Sequence, residues 1–213
     1  MSIQNQASRS ALLATVLASA LLSTACAPLI VGGAMMGGAL VATDRRTSGM
    51  QLEDESIELK VGQNMRHHLP DRAHVNANSY NRMVLLTGEV ASEADKSKAE
   101  VVVGKIENVR GVINELEVTF TSSMTSRAND SLLATKVKGR LVESKDLLAN
   151  AFYVVVERGN VYLLGRVTER EASRAAEITS AVSGVKKVVK MFELISEEEL
   201  ARMTPKAPPK EKD

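Results

Sequence analysis

The segment VYLLGRVTERE, residues 161–171, resembles an earlier segment of the same chain, VLLTGEVASEA, residues 84–94. Four matching positions, each 77 residues apart, are Val84 and Val161, Leu86 and Leu163, Gly88 and Gly165, and Val90 and Val167. Similarity at a fixed spacing indicates that one structural unit is used twice along the chain. The remaining parts of the unit should therefore flank these two segments.

A second pair of similar segments lies downstream, at residues 109–118 and 182–194. Aligning Gly111 with Gly184 places these segments 73 residues apart, so the first copy is predicted to contain four extra residues. That difference equals about one helical turn. The two glycines are predicted to follow helices, in the left-handed C′ position that glycine favours.

Helix and strand patterns are similar in the two copies. The first copy opens with apolar residues at i, i+4 spacing over residues 52–69, a pattern typical of an amphipathic helix. Two strands are then predicted around Asn81-Arg82, and two more around Arg158-Gly159 in the second copy. Thr168 and Glu171 form a capping-box pattern that predicts a helix start. A final strand follows each second helix.

These patterns predict an α+β fold with two tandem units. Each unit has the order helix–strand–strand–helix–strand, in which a three-stranded mixed sheet is covered on one face by two helices. The glycines predicted to serve as structural turn residues are Gly88, Gly111, Gly165 and Gly184.

The two repeated motifs, V-x-G-V and L-x-G, resemble those of the BON domain family over residues 52–195. This resemblance implies binding to phospholipid surfaces, a role in envelope integrity and, in some members, a place at the division site. It also implies that the chain has no catalytic activity and no cofactor.

The N-terminus contains the only cysteine, Cys26, after a segment with Arg9 and an apolar stretch over residues 11–22. This order is typical of a secretory signal, and twelve apolar residues are too few to span a bilayer. The cysteine resembles the acylated residue of bacterial lipoproteins, and Ala27 after it resembles outer-membrane sorting. Ser23 departs from the lipoprotein pattern, so a soluble periplasmic protein cut by ordinary signal peptidase stays open. An uncleaved membrane anchor through residues 27–42 is a further alternative.

The expected organisation of the chain has six parts. They are a signal peptide at 1–25, an acylated N-terminus and tether at 26–50, a first domain at 51–120, a linker at 121–129, a second domain at 130–195, and a disordered, charged and proline-containing tail at 196–213. The expected location is the periplasmic face of the outer membrane.

No catalytic or metal site is predicted. The three histidines, His67, His68 and His74, lack the i, i+4 spacing of a zinc-binding helix, and we expect them to be solvated near a helix end. One cysteine cannot form an internal disulfide. The net charge of +1 argues against nucleic-acid binding, and no small-molecule substrate is expected.

Charge is distributed unevenly between the two copies. Residues 51–120 carry eight basic and twelve acidic residues, whereas residues 129–195 carry eleven basic and eight acidic residues. This asymmetry predicts that the second domain meets an anionic surface. Its first helix, over 130–144, has a core stripe of Leu133, Val137 and Leu141. The expected phospholipid-binding residues lie off that stripe: Leu132, Lys136, Gly139 and Arg140. The alternative is that Leu132 packs under the linker and that the lysines are ordinary solvated charges.

The sequence therefore predicts a non-enzymatic, lipid-anchored envelope protein whose second domain binds anionic phospholipid, with envelope or outer-membrane assembly proteins as further partners. The alternative is a periplasmic adaptor or chaperone that uses the same domains to bind proteins.

Overall fold

Two units of helix–strand–strand–helix–strand order follow one another in the computed structural model, which describes residues 44–203. The first unit consists of α1 (Ser48–His68), β1 (His74–Tyr80), β2 (Met83–Val90), α2 (Glu93–Gly104), β3 (Gly111–Asn114) and β4 (Glu117–Val118). The second consists of α3 (Met124–Glu143), a 3₁₀ turn (Ala149–Ala151), β5 (Tyr153–Glu157), β6 (Asn160–Val167), α4 (Glu169–Ser180) and β7 (Lys187–Leu194), and is followed by α5 (Glu197–Met203).

Each unit has a mixed sheet, which confirms the predicted α+β class. In the first sheet β2 is central, antiparallel to β1 and parallel to both β3 and β4. In the second sheet β6 is central, antiparallel to β5 and parallel to β7. The single final strand predicted for the first unit is divided into β3 and β4, because Glu115 and the buried Leu116 interrupt the ladder.

One face of each sheet is covered by the two helices of its own unit. In the first unit, Ile57 and Val61 of α1 pack with Val84 and Leu86 of β2. In the second unit, Leu133, Val137 and Leu141 of α3 pack with residues of β6 such as Leu163. The predicted core stripe of the 130–144 helix is thus confirmed.

The other faces of the two sheets pack against each other. Tyr80 and Leu85 of the first sheet form one cluster with Tyr162 and Leu164 of the second, and each of these four side chains is at most 6% exposed. The two units therefore share a third core, and residues 44–203 form a single compact body.

Reciprocal polar contacts surround this shared core. The Arg158 side chain, at the β5–β6 turn, lies 2.9 Å from Glu117 on the last strand of the first unit. The Asn81 amide, at the β1–β2 turn, donates to Glu193 on the last strand of the second unit. The turn of each unit therefore contacts the last strand of the other.

Local signals at the second hairpin and at α4 are confirmed. Arg158 and Gly159 have φ values of 53° and 82°, and form the tight turn predicted there. The Thr168 hydroxyl accepts from the Glu171 amide, while the Glu171 carboxylate accepts from the Thr168 amide, so the capping box is complete.

The predicted alignment of the two glycines is wrong. The helix caps Ser92 and Thr168 lie 76 residues apart, and the left-handed residue after the second helix is Asn108 in one unit and Gly184 in the other. Gly111 instead begins β3 and pairs with Met83. Asparagine tolerates the left-handed conformation, so it replaces glycine there. With this alignment the predicted four extra residues of the first copy become one, because the strand glycines Gly88 and Gly165 lie 77 residues apart and the turn residues 76.

Gly88 and Gly165 lie inside strands rather than in turns. A Cβ at Gly88 would lie 2.1 Å from the carbonyl oxygen of His74, and one at Gly165 would lie 2.3 Å from that of Ala151. Any larger residue at either position would therefore push the central strand away from the segment that carries this carbonyl oxygen.

Three predicted boundaries also differ from the structure. Helix α3 begins at Met124, within the expected linker, because the Ser123 hydroxyl caps it. Helix α5 occupies part of the expected tail, where Glu199 pairs with Arg166 at 2.8 Å. The expected tether ends earlier than residue 50, because Arg45 forms two 2.8 Å hydrogen bonds with Glu171 of the second unit.

The predicted signal peptide, Cys26 and residues 204–213 lie outside the described residues. None of the helices between residues 44 and 203 is long and apolar enough to cross a membrane.

Candidate functional site

The first helix of the second unit displays the residues that the sequence predicted for lipid binding. Leu132 is 61% exposed, whereas the adjacent Leu133 is only 7% exposed because it lies on the core stripe. Lys136, one turn after Leu132, and Gly139 and Arg140, two turns after it, continue this exposed face along α3. The helix thus separates a buried face from an open one, as its periodicity predicted.

A buried carboxylate fixes α3 against the rest of its unit. Asp130 accepts hydrogen bonds of 2.9 Å from the backbone amides of both Arg158 and Gly159, in the β5–β6 turn. Asp54 does the same in the first unit, where it accepts from the amides of Asn81 and Arg82 at 2.9 and 2.8 Å. Because burying these amides unpaired is costly, the two aspartates determine where each first helix meets its hairpin.

Sequence reasoning missed this pair of aspartates. Asp54 and Asp130 lie 76 residues apart, the same spacing as the helix caps Ser92 and Thr168. A repeat alignment at that spacing would have identified them as a shared feature of the two units.

A groove of about 670 Å³ runs beside the N-terminal half of α3. Its walls come from α3, from the segment 119–123 that joins the units, and from the turn that contains Gly184 and Lys186. Leu132 and Lys136 line the groove, together with Phe120, which the sequence analysis did not single out. Gly139 and Arg140 do not line it. They extend the exposed face further along the helix, where Arg140 pairs with Glu143 at 3.0 Å.

The groove has a positive character. Lys136 and Lys186 form no ion pair with any residue of the 44–203 region, so their charges face solvent. The carboxylate that lines the groove is Asp130, which is 8% exposed and already accepts two backbone hydrogen bonds. An anionic group entering the groove would meet these two unpaired cations, the paired Arg158, and no exposed carboxylate from the groove lining.

Part of the charge asymmetry between the units has a structural role. Arg158 of the second unit lies 3.4 Å from Glu89 and 2.9 Å from Glu117, and Lys187 lies 3.5 Å from Glu115. All three acids belong to the first unit. Some of the basic excess of the second domain is therefore directed to its neighbour rather than to an external surface, which corrects our interpretation of the charge split.

One histidine has a different environment from the one predicted. His67 and His68 are exposed at the end of α1, but His74 begins β1 and its Nδ1 lies 3.0 Å from the carboxylate of buried Glu89. Glu157 of the second unit completes a trio whose ligand atoms all lie within 4.8 Å of one another.

Both carboxylates of the trio already have protein partners. Glu157 accepts from the Asn76 amide at 3.0 Å, and Arg158 and Ser122 both reach Glu89. Burial raises the pKa of the Glu157 carboxyl. Burial also opposes ionisation of Glu89, but hydrogen bonds from Ser122 and His74 outweigh it and lower the pKa of this carboxyl. We interpret the trio as a polar junction between the units.

Comparison with known proteins identifies both units. The model of the BON domain matches residues 53–119 and 129–196. The chain is 38% identical over 185 residues to the outer membrane lipoprotein DolP of Haemophilus influenzae, an alignment that covers 86% of this chain and 95% of that protein. It is 29% identical over 154 residues to a 21 kDa hemolysin of Actinobacillus pleuropneumoniae, covering 71% of this chain and 79% of that protein.

Among solved structures, CdsD of Chlamydia trachomatis, a structural protein of the type III secretion system, matches with 15% identity and a TM-score of 0.28. That match covers 70% of this chain and 97% of the CdsD chain.

Proposed function

Since this chain belongs to the BON domain family, as an outer-membrane-associated protein of the DolP type, we propose that its second domain binds anionic phospholipid at the periplasmic face of that membrane. The proposal includes an acyl anchor at Cys26 and a non-enzymatic role in envelope integrity, with action at the division site. The observation that carries the proposal is the exposed Leu132 beside the unpaired cation of Lys136 on a helix whose opposite face is buried.

The arrangement suits shallow insertion into a bilayer. An aliphatic side chain on an amphipathic helix enters the boundary between headgroups and acyl chains, while nearby cations face the phosphates. Each Lys or Arg close to an anionic surface contributes about 1 kcal/mol, and complete burial of a leucine contributes about 2 kcal/mol. The surface around Leu132 by itself therefore binds weakly.

Weak surface binding fits a protein that is also anchored. An acyl group at Cys26 would keep the chain at the membrane, and the α3 surface would then decide how the folded domains are oriented and which lipids they meet. The acyl anchor would keep the protein on the membrane, and the second BON domain would select anionic lipid.

The test is flotation of the acyl-free chain, residues 43–213, with vesicles of zwitterionic lipid alone or mixed with phosphatidylglycerol. Wild-type protein should float with the anionic vesicles and less so as salt rises, since the screening length falls from about 10 Å at 0.1 M to about 3 Å at 1 M. Leu132→Glu should abolish flotation without changing the thermal midpoint.

Leu59→Glu is the matched control, because Leu59 on α1 is 65% exposed, close to the 61% of Leu132. It should float like wild type. A folded Leu132→Glu protein that still floats would contradict the proposed site. A wild-type protein that floats with neither vesicle would instead favour the adaptor or chaperone function.

A further inference from the structure

Phe120 lies in the segment between the two units and is 94% exposed, more than any other large apolar residue in the described part of the chain. Burial of a phenylalanine side chain is worth about 1.5–3 kcal/mol, so a ring held fully in water forgoes that stabilisation. A ring this exposed is available to a partner outside the fold.

The backbone around Phe120 is held in place on both sides. The amide of Thr119 donates to the carbonyl of Val90 at 3.1 Å, and the hydroxyl of Thr121 donates to the carbonyl of Arg72 at 3.0 Å. Ser123, two residues further on, caps α3. The ring is therefore displayed from a fixed segment, which lowers the entropy lost when it binds something.

Phe120 separates two hollows on the surface. On one side is the groove that contains Leu132 and Lys136. On the other is a hollow of about 570 Å³ formed by residues 118–121 with Arg72 and Ala91. Val118 in that second hollow is 42% exposed. Apolar side chains thus continue from α3 across the linker to the end of β4.

Cations accompany this apolar path. We define the Phe120 surface by its three apolar residues, Val118, Phe120 and Leu132, and its three cations, Arg72, Lys136 and Lys186. Within residues 44–203 none of these cations forms an ion pair. The carboxylate that lines the α3 groove is the buried, hydrogen-bonded Asp130, and the residues of 44–203 that line the second hollow include no carboxylate. The apolar side chains of this surface match the acyl chains of a bilayer, and its unpaired cations match the phosphates that lie above them.

We propose that Phe120 inserts into the same anionic bilayer as Leu132 and is the second contact point of the chain with the membrane. This inference rests on the proposed function and extends it from one helix to the linker. A single insertion point leaves the protein free to rotate about it in any direction, whereas two points on different elements leave only rotation about the line that joins them. Because both units share a core, fixing the linker and α3 orients the whole of residues 44–203.

The chain has no tryptophan, so one introduced tryptophan reports on a single position. We would prepare residues 43–213 with Phe120→Trp, Leu132→Trp or Leu59→Trp and add phosphatidylglycerol vesicles with or without brominated acyl chains. The tryptophans at 120 and 132 should both shift to shorter wavelength and be quenched, whereas the one at 59 should do neither. Phe120→Ser should weaken vesicle binding about tenfold and leave the thermal midpoint unchanged.

The outcomes separate the two proposals. Quenching at position 132 without quenching at 120 would overturn the role of Phe120 and leave the α3 site intact. Quenching at neither position would overturn both. Quenching at position 120 that persists in purely zwitterionic vesicles, with the same affinity, would refute the part assigned to the cations.

Discussion

Arg158 and Glu117 form a 2.9 Å ion pair that joins the hairpin turn of the second BON domain to the last strand of the first. The same arginine reaches the buried carboxylate of Glu89 at 3.4 Å. These contacts lie at the edge of the apolar cluster that the two sheets share. Part of the charge difference between the domains therefore forms ion pairs that hold them together. We expect the two domains to unfold as one unit.

The first prediction concerns that shared core. Leu164 is 1% exposed between the sheets, and Leu164→Ala should lower the free energy of unfolding by about 2–5 kcal/mol. Calorimetry should show one transition for the wild type and one, at lower temperature, for the variant. Two separate transitions in the wild type would show that the domains unfold independently, which the shared core does not allow.

The second prediction concerns Asp130. Asp130→Ala removes the acceptor of two buried backbone amides, and unfolding in urea should show a loss of about 2–4 kcal/mol. Asp130→Asn retains one acceptor oxygen and should lose less. If both variants are as stable as wild type, water replaces the carboxylate and the aspartate does not position α3.

The third prediction contrasts two glutamates of the polar junction. The pKa of Glu157 is raised by burial, so its charge destabilises the fold at neutral pH and the penalty disappears as the pH falls through the raised pKa. The pKa of Glu89 is lowered, so its charge stabilises the fold at neutral pH, and this contribution declines below the ordinary carboxyl pKa and is lost as the pH falls through the lowered one.

Glu157→Gln should therefore stabilise the protein at pH 7 and have little effect at pH 4. Glu89→Gln should destabilise it at pH 7, with a smaller difference at low pH. Urea unfolding at both values measures this, and the same sign of effect for both variants at pH 7 would contradict the assignment.

The fourth prediction concerns Cys26, which lies outside the described residues. Cys26→Ser should release the mature protein into the soluble periplasmic fraction, because the α3 surface alone binds weakly. Mass spectrometry of the wild type should detect the acyl group. A wild type without acyl mass, together with a variant that still sediments with membranes, would exclude the anchor.

The sequence was most informative where a local rule determines the structure. The capping box of Thr168 and Glu171 and the turn at Arg158-Gly159 depend on neighbouring residues alone, and both were predicted correctly. The alignment of Gly111 with Gly184 failed because it assumed that the same residue type fills the same turn. In the first domain, Asn108 adopts that conformation.

The packing of the two sheets was not predicted, although a signal was present. Strand β2 contains adjacent apolar residues, Leu85 and Leu86, and β6 contains Leu163 and Leu164. Such runs are typical of strands buried on both faces, whereas a strand with one solvated face alternates. Phe120 was missed for a different reason, because its importance lies in its exposure, which depends on how the linker is held.

The reciprocal contacts of Asn81 with Glu193 and of Arg158 with Glu117 have a consequence for the ancestry of the chain. Contacts in which the same region of each partner meets the other's counterpart define an isologous interface, the kind found in two-fold symmetric homodimers. A solitary BON domain with this sheet face would leave the counterparts of Leu85 and Leu164 in water unless it paired with a second copy. The tandem chain thus has the layout of a dimer fused into one polypeptide. Two halves in one polypeptide need not share one sequence, and their opposite charge balances show that these two do not.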